Sequence, residues 1–418
     1  MLYFVLGIPL YKGFCNFSDS SFHALHCLTI LVFSKTYILH GIASPSLYTY
    51  SKIDVSLPLL MLLSVFNEKK EAIIPHSKPT INEEDVVAVS NTLRSGNIAQ
   101  REMVEKFERE IANYIGLKGG VATSSGSTAL HLALLALDVT KKDAVAIPSY
   151  VCTAVLNAVN YIGASPVLID IHPDTLNLDV EDLKRKLTRH VRAIIVPHAF
   201  GLPADIEEIT GLGIPVVEDC AQSIGATYKN KKVGSFGNVS VFSFYATKVI
   251  TTSEGGMVAS NSNELLGKVR DLKDYDNKEN YITRYNYKMT DIQASLGLSQ
   301  LKRLNQFIEI RRSIAQRYTD ELKDFCALPI NHKSDSKHIY YRYIIKLRRD
   351  VEGFLKLSKE KGINCERPIF KPLHKYLNLS GFPNTDSVWK RAVSIPIYPT
   401  LTEENIKTII EFVKSCKP

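Results

Sequence analysis

The chain has 418 residues, 45% hydrophobic and 22% charged, the balance of a globular protein with material for a large core and two or three domains. Its formal charge is +8, but Lys and Arg are interleaved with acids, which argues against a nucleic-acid stripe and suits an anionic small substrate. Seven cysteines, at 15, 27, 152, 220, 326, 365 and 416, show no CxxC pair and no metal-ligand spacing, so they read as reduced thiols of a cytoplasmic protein without a metal.

The first 66 residues carry only Lys12, Asp19, Lys35, Lys52 and Asp54 as charges, and they lack sustained helical or strand periodicity. Their longest apolar runs, ALHCLTILVF and LPLLMLLSVF, fall well short of the roughly 18 residues of a membrane helix. No basic n-region or convincing cleavage site marks a signal peptide. Residues 1–71 are therefore expected to be an atypical extension outside the catalytic fold, translated from sequence upstream of a start near Met61. A peripheral membrane-associated segment and a genuine domain are the alternatives.

From Pro75 the texture becomes regular. INEEDVVAVSNTLRSG shows helical spacing, acids in its first turn and a closing Gly; REMVEKFEREIANYIGL repeats the pattern. GGVATSSGSTALHLALLAL reads as a strand, a Ser/Gly turn and a helix. Apolar strands then alternate with helices: AVAIPSY with CTAVLNAVNYIG, SPVLIDI with VEDLKRKLT, AIIVPHAF with ADIEEITGL, and PVVEDC before VSVFSFY. That alternation predicts a mostly parallel sheet with helices on both faces, an α/β fold. DIQASLGLSQLKRLNQFIEIRRSIAQRYTDEL reads as one long helix, HIYYRYIIKL as an alternating strand, and VEGFLKLSKEKGI and TEENIKTIIEFVKSC as helices. These elements predict a large domain over 72–319 and a smaller α+β domain over 320–418.

Three segments can carry chemistry. In TSSGSTALHLAL a Ser/Gly turn enters a helix, leaving N–H groups and the hydroxyls of Ser124, Ser125, Ser127 and Thr128 for an anion, or simply capping the helix. PVVEDC brings Glu218 and Asp219 to a strand end, where α/β folds place ligands; a carboxylate there pairs with a cationic ring nitrogen or caps the next element. Gln222 follows three residues later. Lys248, after the apolar SVFSF run, is either a surface cap or an amine buried for chemistry, since an unpaired buried ammonium is costly. Together the three supply what pyridoxal phosphate (PLP) needs: an anion cradle, a carboxylate for the pyridine nitrogen and an amine for a Schiff base. Ser243 could reach the same phosphate.

With SSGSTALHLAL, IPSYVCTAVLNAVNYIGASPVLIDIHPDTLNLD, PHAFGLPADI, VEDCAQSIGATYKNKKVGSFG, FSFYATKVITTSEGGMV and YNYKMTDIQASLGLSQL in one order, the chain from about Ile74 onward resembles the DegT-type sugar aminotransferases. The resemblance implies the type I PLP-dependent transferase fold. It also implies that Lys248 holds PLP and then moves the proton, that Asp219 pairs with the pyridinium nitrogen, and that Gln222 approaches the phenolic oxygen. Gly126, Ser127 and Ser243 would hold the phosphate, with Asn286 reaching it from the neighbouring subunit of a homodimer. The implied reaction passes an amino group from glutamate, or glutamine, to a keto sugar on a nucleotide diphosphate in two half-reactions. No nucleic-acid or membrane partner is expected. A keto-cyclitol acceptor and a PLP-bound regulatory protein without turnover are the competing readings. His198, Arg367 and His374 are further candidates near cofactor or substrate. Two departures stand out: Cys152 occupies a position where the family usually has an aromatic residue or histidine stacked on the ring, and Ile98, Ala99 and Arg101 replace the usual substrate-side residues.

Overall fold

The computed structural model describes residues 73–329, 335–348 and 351–416, which belong to one compact unit. The reading of residues 1–71 as an extension lies outside the described residues.

The apolar runs become strands, buried almost throughout except at the edge strand β3: β1 (Gly119–Thr123), β2 (Ala144–Pro148), β3 (Ser165–Ile169), β4 (Val191–Pro197) and β5 (Val216–Asp219). A small hairpin, β6 (Thr227–Tyr228) and β7 (Lys231–Lys232), precedes β8 (Val239–Ser243) and β9 (Gly256–Ser260). Seven of them form one sheet in the order β1-β9-β8-β5-β4-β2-β3. β3, β2, β4, β5 and β8 run parallel, and β9 runs antiparallel between β8 and β1. The carboxyl ends of β1, β8, β5, β4 and β2 therefore share one edge, while β9 begins there. That edge gathers the candidate residues.

Helices cover both faces, as runs of apolar side chains in neighbouring strands require. Gly126–Ala136 and Thr153–Ile162 enclose one core with Val121, Val145, Ile147, Val217 and Val241. Glu102–Ile115 and Asp291–Leu301 close the opposite side over Phe107, Phe242, Phe244 and Met257. At roughly 1.5–3 kcal/mol per fully buried large aliphatic side chain, these cores hold the sheet edge rigid. A separate cluster joins Ile74 and Tyr318 to Tyr343, Ile345, Val393, Ile395, Ile409 and Val413, around the two-stranded sheet Tyr343–Lys346 with Ala392–Ile395.

Two elements differ from the sequence reading. The expected long helix is two, Asp291–Leu301 and Leu304–Leu322. The chain turns where Arg303 reaches Asp85 at 2.5 Å, an ion pair that fixes the break. Of HIYYRYIIKL, only Tyr343–Lys346 is a strand of the two-stranded sheet, beyond a short Ser336–Lys337 strand. The residues between are drawn to the turn after β4 instead, through Ile339 N–H to Gly201 O (3.1 Å) and Arg342 N–H to Phe200 O (3.4 Å).

Candidate active site

Ser125 caps the helix Gly126–Ala136, and a capping box with Thr128 closes the turn. The Thr128 N–H goes to Ser125 Oγ and the Ala129 N–H to the Ser125 carbonyl. Gly126 and Ser127 are thereby left with first-turn N–H groups that no intrahelical carbonyl can accept. Both readings of this turn thus coexist: it is a cap, and it presents two N–H groups at the positive end of a helix dipole. Ser243, ending β8, comes against this point, because a Cβ added to Gly126 would lie 2.8 Å from Ser243 Cβ and 3.1 Å from its Oγ. Gly256 at the start of β9 is equally constrained, since a Cβ there would lie 2.2 Å from the Ser125 carbonyl oxygen.

The Glu218–Asp219 pair divides by strand alternation. Glu218 points under the sheet edge and is fully enclosed. Its Oε1 accepts the N–H groups of Phe236 (2.7 Å) and Gly237 (2.6 Å), and its Oε2 that of Gly234 (2.7 Å). His198 Nε2 lies 3.0 Å from the same Oε2, and His198 Nδ1 accepts the Ala204 N–H at 3.0 Å. The imidazole is therefore held as the Nε2–H tautomer, buried below the site and engaged at both nitrogens. His198, Glu218 and Cys220 have ligand-type atoms within 4.8 Å of one another, but both Glu218 oxygens already accept N–H groups.

Asp219 faces the other way. Its Oδ1 accepts the Ala221 N–H at 3.0 Å, and Oδ2 makes no hydrogen bond among the described residues. Burial pushes this carboxyl above its ordinary range, against the opposing pull of the Ala221 N–H and the Lys248 ammonium. Among the described residues, no cation makes direct contact with this carboxylate. Burial and the Asp219 charge likewise raise the Cys152 thiol, while Lys248 lowers it, so the three groups share one space. Cys152 keeps contact with solvent at the start of the helix Thr153–Ile162, which puts it at the mouth of that space.

Lys248 follows β8 in a turn closed by its own N–H to the Tyr245 carbonyl at 2.8 Å. Its Nζ lies 5.2 Å from the centre of the Tyr341 ring. Gln222 accepts the Phe200 N–H at 2.9 Å through its side-chain oxygen, which leaves its amide nitrogen as the free donor. Phe200 is held in the left-handed region at φ 56°, an unusual state for a bulky residue.

The structure thus brings Gly126, Ser127, Asp219, Gln222, Ser243 and Lys248 to one edge. Asn286 is exposed and makes no hydrogen bond among the described residues; its neighbours Tyr285 and Tyr287 stack at 4.9 Å and pack on His131. Arg367 is committed elsewhere, to the Trp389 carbonyl and to Glu352. His374 is buried between Ser149 Oγ (2.7 Å) and Asp386 (3.1 Å). Tyr341 escaped the sequence reading. The strand pattern of HIYYRY gave no sign that its second tyrosine would turn toward Lys248.

The profile of the DegT/DnrJ/EryC1/StrS aminotransferase family matches residues 79–414. The chain belongs to that family. GDP-perosamine synthase of Vibrio cholerae is 33% identical to the aminotransferase over 365 residues, 82% of this chain and 98% of the relative. The spore coat polysaccharide biosynthesis protein SpsC of Bacillus subtilis is 32% identical over 381 residues, 83% and 98% of the two chains. Among solved structures, the PLP form of a putative sugar aminotransferase from Streptococcus pneumoniae superposes with a TM-score of 0.78 at 27% identity, covering 82% of this chain and 98% of that one. The same protein is also known in its pyridoxamine phosphate (PMP) form. The aminotransferase is accordingly a PLP-dependent sugar transaminase of the type I fold. Among its described residues, no helix is long and apolar enough to cross a membrane.

Proposed function

We propose that the aminotransferase carries an amino group from glutamate, or less readily glutamine, to a keto sugar of a nucleotide-diphosphate sugar by a ping-pong scheme, as a cytoplasmic homodimer. The observation that carries this reading is the meeting of Asp219 and Lys248 at one sheet edge with the turn formed by Gly126, Ser127 and Ser243. The donor set fits PLP. The helix start offers N–H groups beside a serine hydroxyl for a phosphate, and Asp219 is a buried acid short of a positive partner.

PLP, when bound, supplies an aldehyde that an amine can capture and a conjugated ring that takes up the electron pair released at a substrate carbon. Lys248 Nζ is the amine that would hold it, and the same amine would serve as the base that carries a proton from one carbon to the next. Asp219, out of reach of bulk water, keeps a proton on the ring nitrogen because separating that pair in a buried site is costly. Gly126 and Ser127 N–H with Ser243 Oγ hold the phosphate, and the amide nitrogen of Gln222 donates to the phenolic oxygen. Asn286, free and exposed, reaches the phosphate in a second copy of the chain. Glu218 and His198 touch none of these atoms and position the strand end from below.

The GDP-perosamine synthase and polysaccharide relatives support a nucleotide-sugar acceptor. The test is to incubate the loaded enzyme with glutamate and follow loss of the visible cofactor band. A panel of keto nucleotide sugars is then added, and the mass of each product is read. Bleaching by glutamate and recovery with a gain of one amino group on the sugar are expected, with parallel double-reciprocal plots. A band unmoved by any amino donor would instead favour a binding protein without turnover.

A further inference from the structure

Tyr341 is buried yet has no place in the chemistry assigned above. Its ring centre lies 5.2 Å from Lys248 Nζ and 5.5 Å from Arg342 Cζ, so two cations share one aromatic face system. Its hydroxyl lies 3.4 Å from Thr247 Oγ1, on the residue preceding Lys248. The backbone is fixed as firmly. Arg311, buried in the helix Leu304–Leu322, donates from Nη1 to the carbonyls of Tyr340, Tyr341 and Ile397. Gly201 packs so close that a Cβ there would lie 3.0 Å from the Tyr341 nitrogen. A side chain held from three directions beside the Lys248 amine is arranged to control that amine.

We propose that Tyr341 is a positioning residue for Lys248: its ring holds the amine toward Asp219, and its electron-rich oxygen, anchored on Thr247, acts on the amine through space and favours the protonated nitrogen. This rests on Lys248 being the cofactor-bearing amine. The surroundings favour an electron-rich oxygen. Burial alone would raise the phenol, but Lys248, Arg342, the Thr247 hydroxyl and Arg311 outweigh it and bring it below the ordinary tyrosine range. The other titratable groups that face the pair are Asp219 at the end of β5 and Cys152 after β2, with His76 and Glu366 behind Arg342.

The readout is the pH midpoint of the visible absorption band of the cofactor-loaded protein, which reports the proton on the nitrogen that Lys248 contributes. Tyr341→Phe keeps the ring and removes the oxygen. The midpoint is expected to fall by about half a pH unit, the effect of losing a nearby electron-rich oxygen rather than a direct hydrogen bond. Thr247→Val leaves the buried ring untouched, frees the phenol from its anchor and is expected to move the midpoint the same way. It serves as the test should Tyr341→Phe fail to fold. Borohydride reduction and peptide mapping come first. Label on a residue other than Lys248 overturns the functional assignment; label on Lys248 with an unmoved or raised midpoint in the folded variants overturns only the role of Tyr341.

Discussion

Glu218→Gln tests whether the buried carboxylate beneath Asp219 is the keystone of that sheet edge. The side chain keeps its shape, but one oxygen becomes an amide nitrogen. At Oε1 that nitrogen would face the Phe236 and Gly237 N–H groups, and at Oε2 it would face the Gly234 N–H and the His198 Nε2–H, donor against donor. Either way two buried donors lose their acceptor at about 1–3 kcal/mol each, and the surviving bonds lose their charge assistance, so about 3–5 kcal/mol should go. Urea unfolding of the variant beside the parent measures it. The pH dependence gives a second check. Burial alone would raise the Glu218 carboxyl, but the bonds from His198, Gly237 and Gly234 outweigh it and hold it below its ordinary range. A depressed carboxylate contributes stability that is complete above its unfolded value and lost as pH falls through the folded one. The gap between parent and variant should therefore be constant above about pH 5 and shrink below it. A gap under about 1 kcal/mol, or one that ignores acid, would refute the reasoning.

Other outcomes follow from the same geometry. Lys248→Ala should fold normally, bind PLP reversibly and abolish transfer; full turnover in product mass assays would contradict the assignment. Asp219→Ala removes the buried acid that faces the site and should weaken PLP binding by about 10²–10³-fold, read from equilibrium dialysis, with a further loss of rate. In Gly126→Ala the new methyl would sit 2.8 Å from Ser243 Cβ, so PLP should dissociate faster even though alanine favours the helix by about 1 kcal/mol. A variant with parental PLP affinity would place the phosphate elsewhere.

The strands, the covering helices and the candidate residues were legible along the chain because each depends on local pattern. Buried parallel strands need continuous apolar runs, a helix start needs its cap, and a candidate ligand-binding strand end shows as VVED or VFSF followed by polar residues. Strand alternation puts Glu218 and Asp219 on opposite faces, a division not drawn from the sequence, and which face held the site could not be read until β5 was seated between β4 and β8. The antiparallel β9 was hidden for a similar reason: strand direction is set by the partner, not by the strand's own residues. Arg367, His374 and Tyr341 show the limit most directly. Polar side chains take whichever partner the fold brings near, so Trp389 and Glu352 claimed Arg367, and Ser149 and Asp386 claimed His374. Tyr341, unremarkable in its own segment, came to lie beside Lys248 because the loop at Phe200–Gly201 captured the backbone around it. Residue type and order determined the chemistry available; tertiary contacts, between residues from 12 to 225 positions apart, decided which groups were free to perform it.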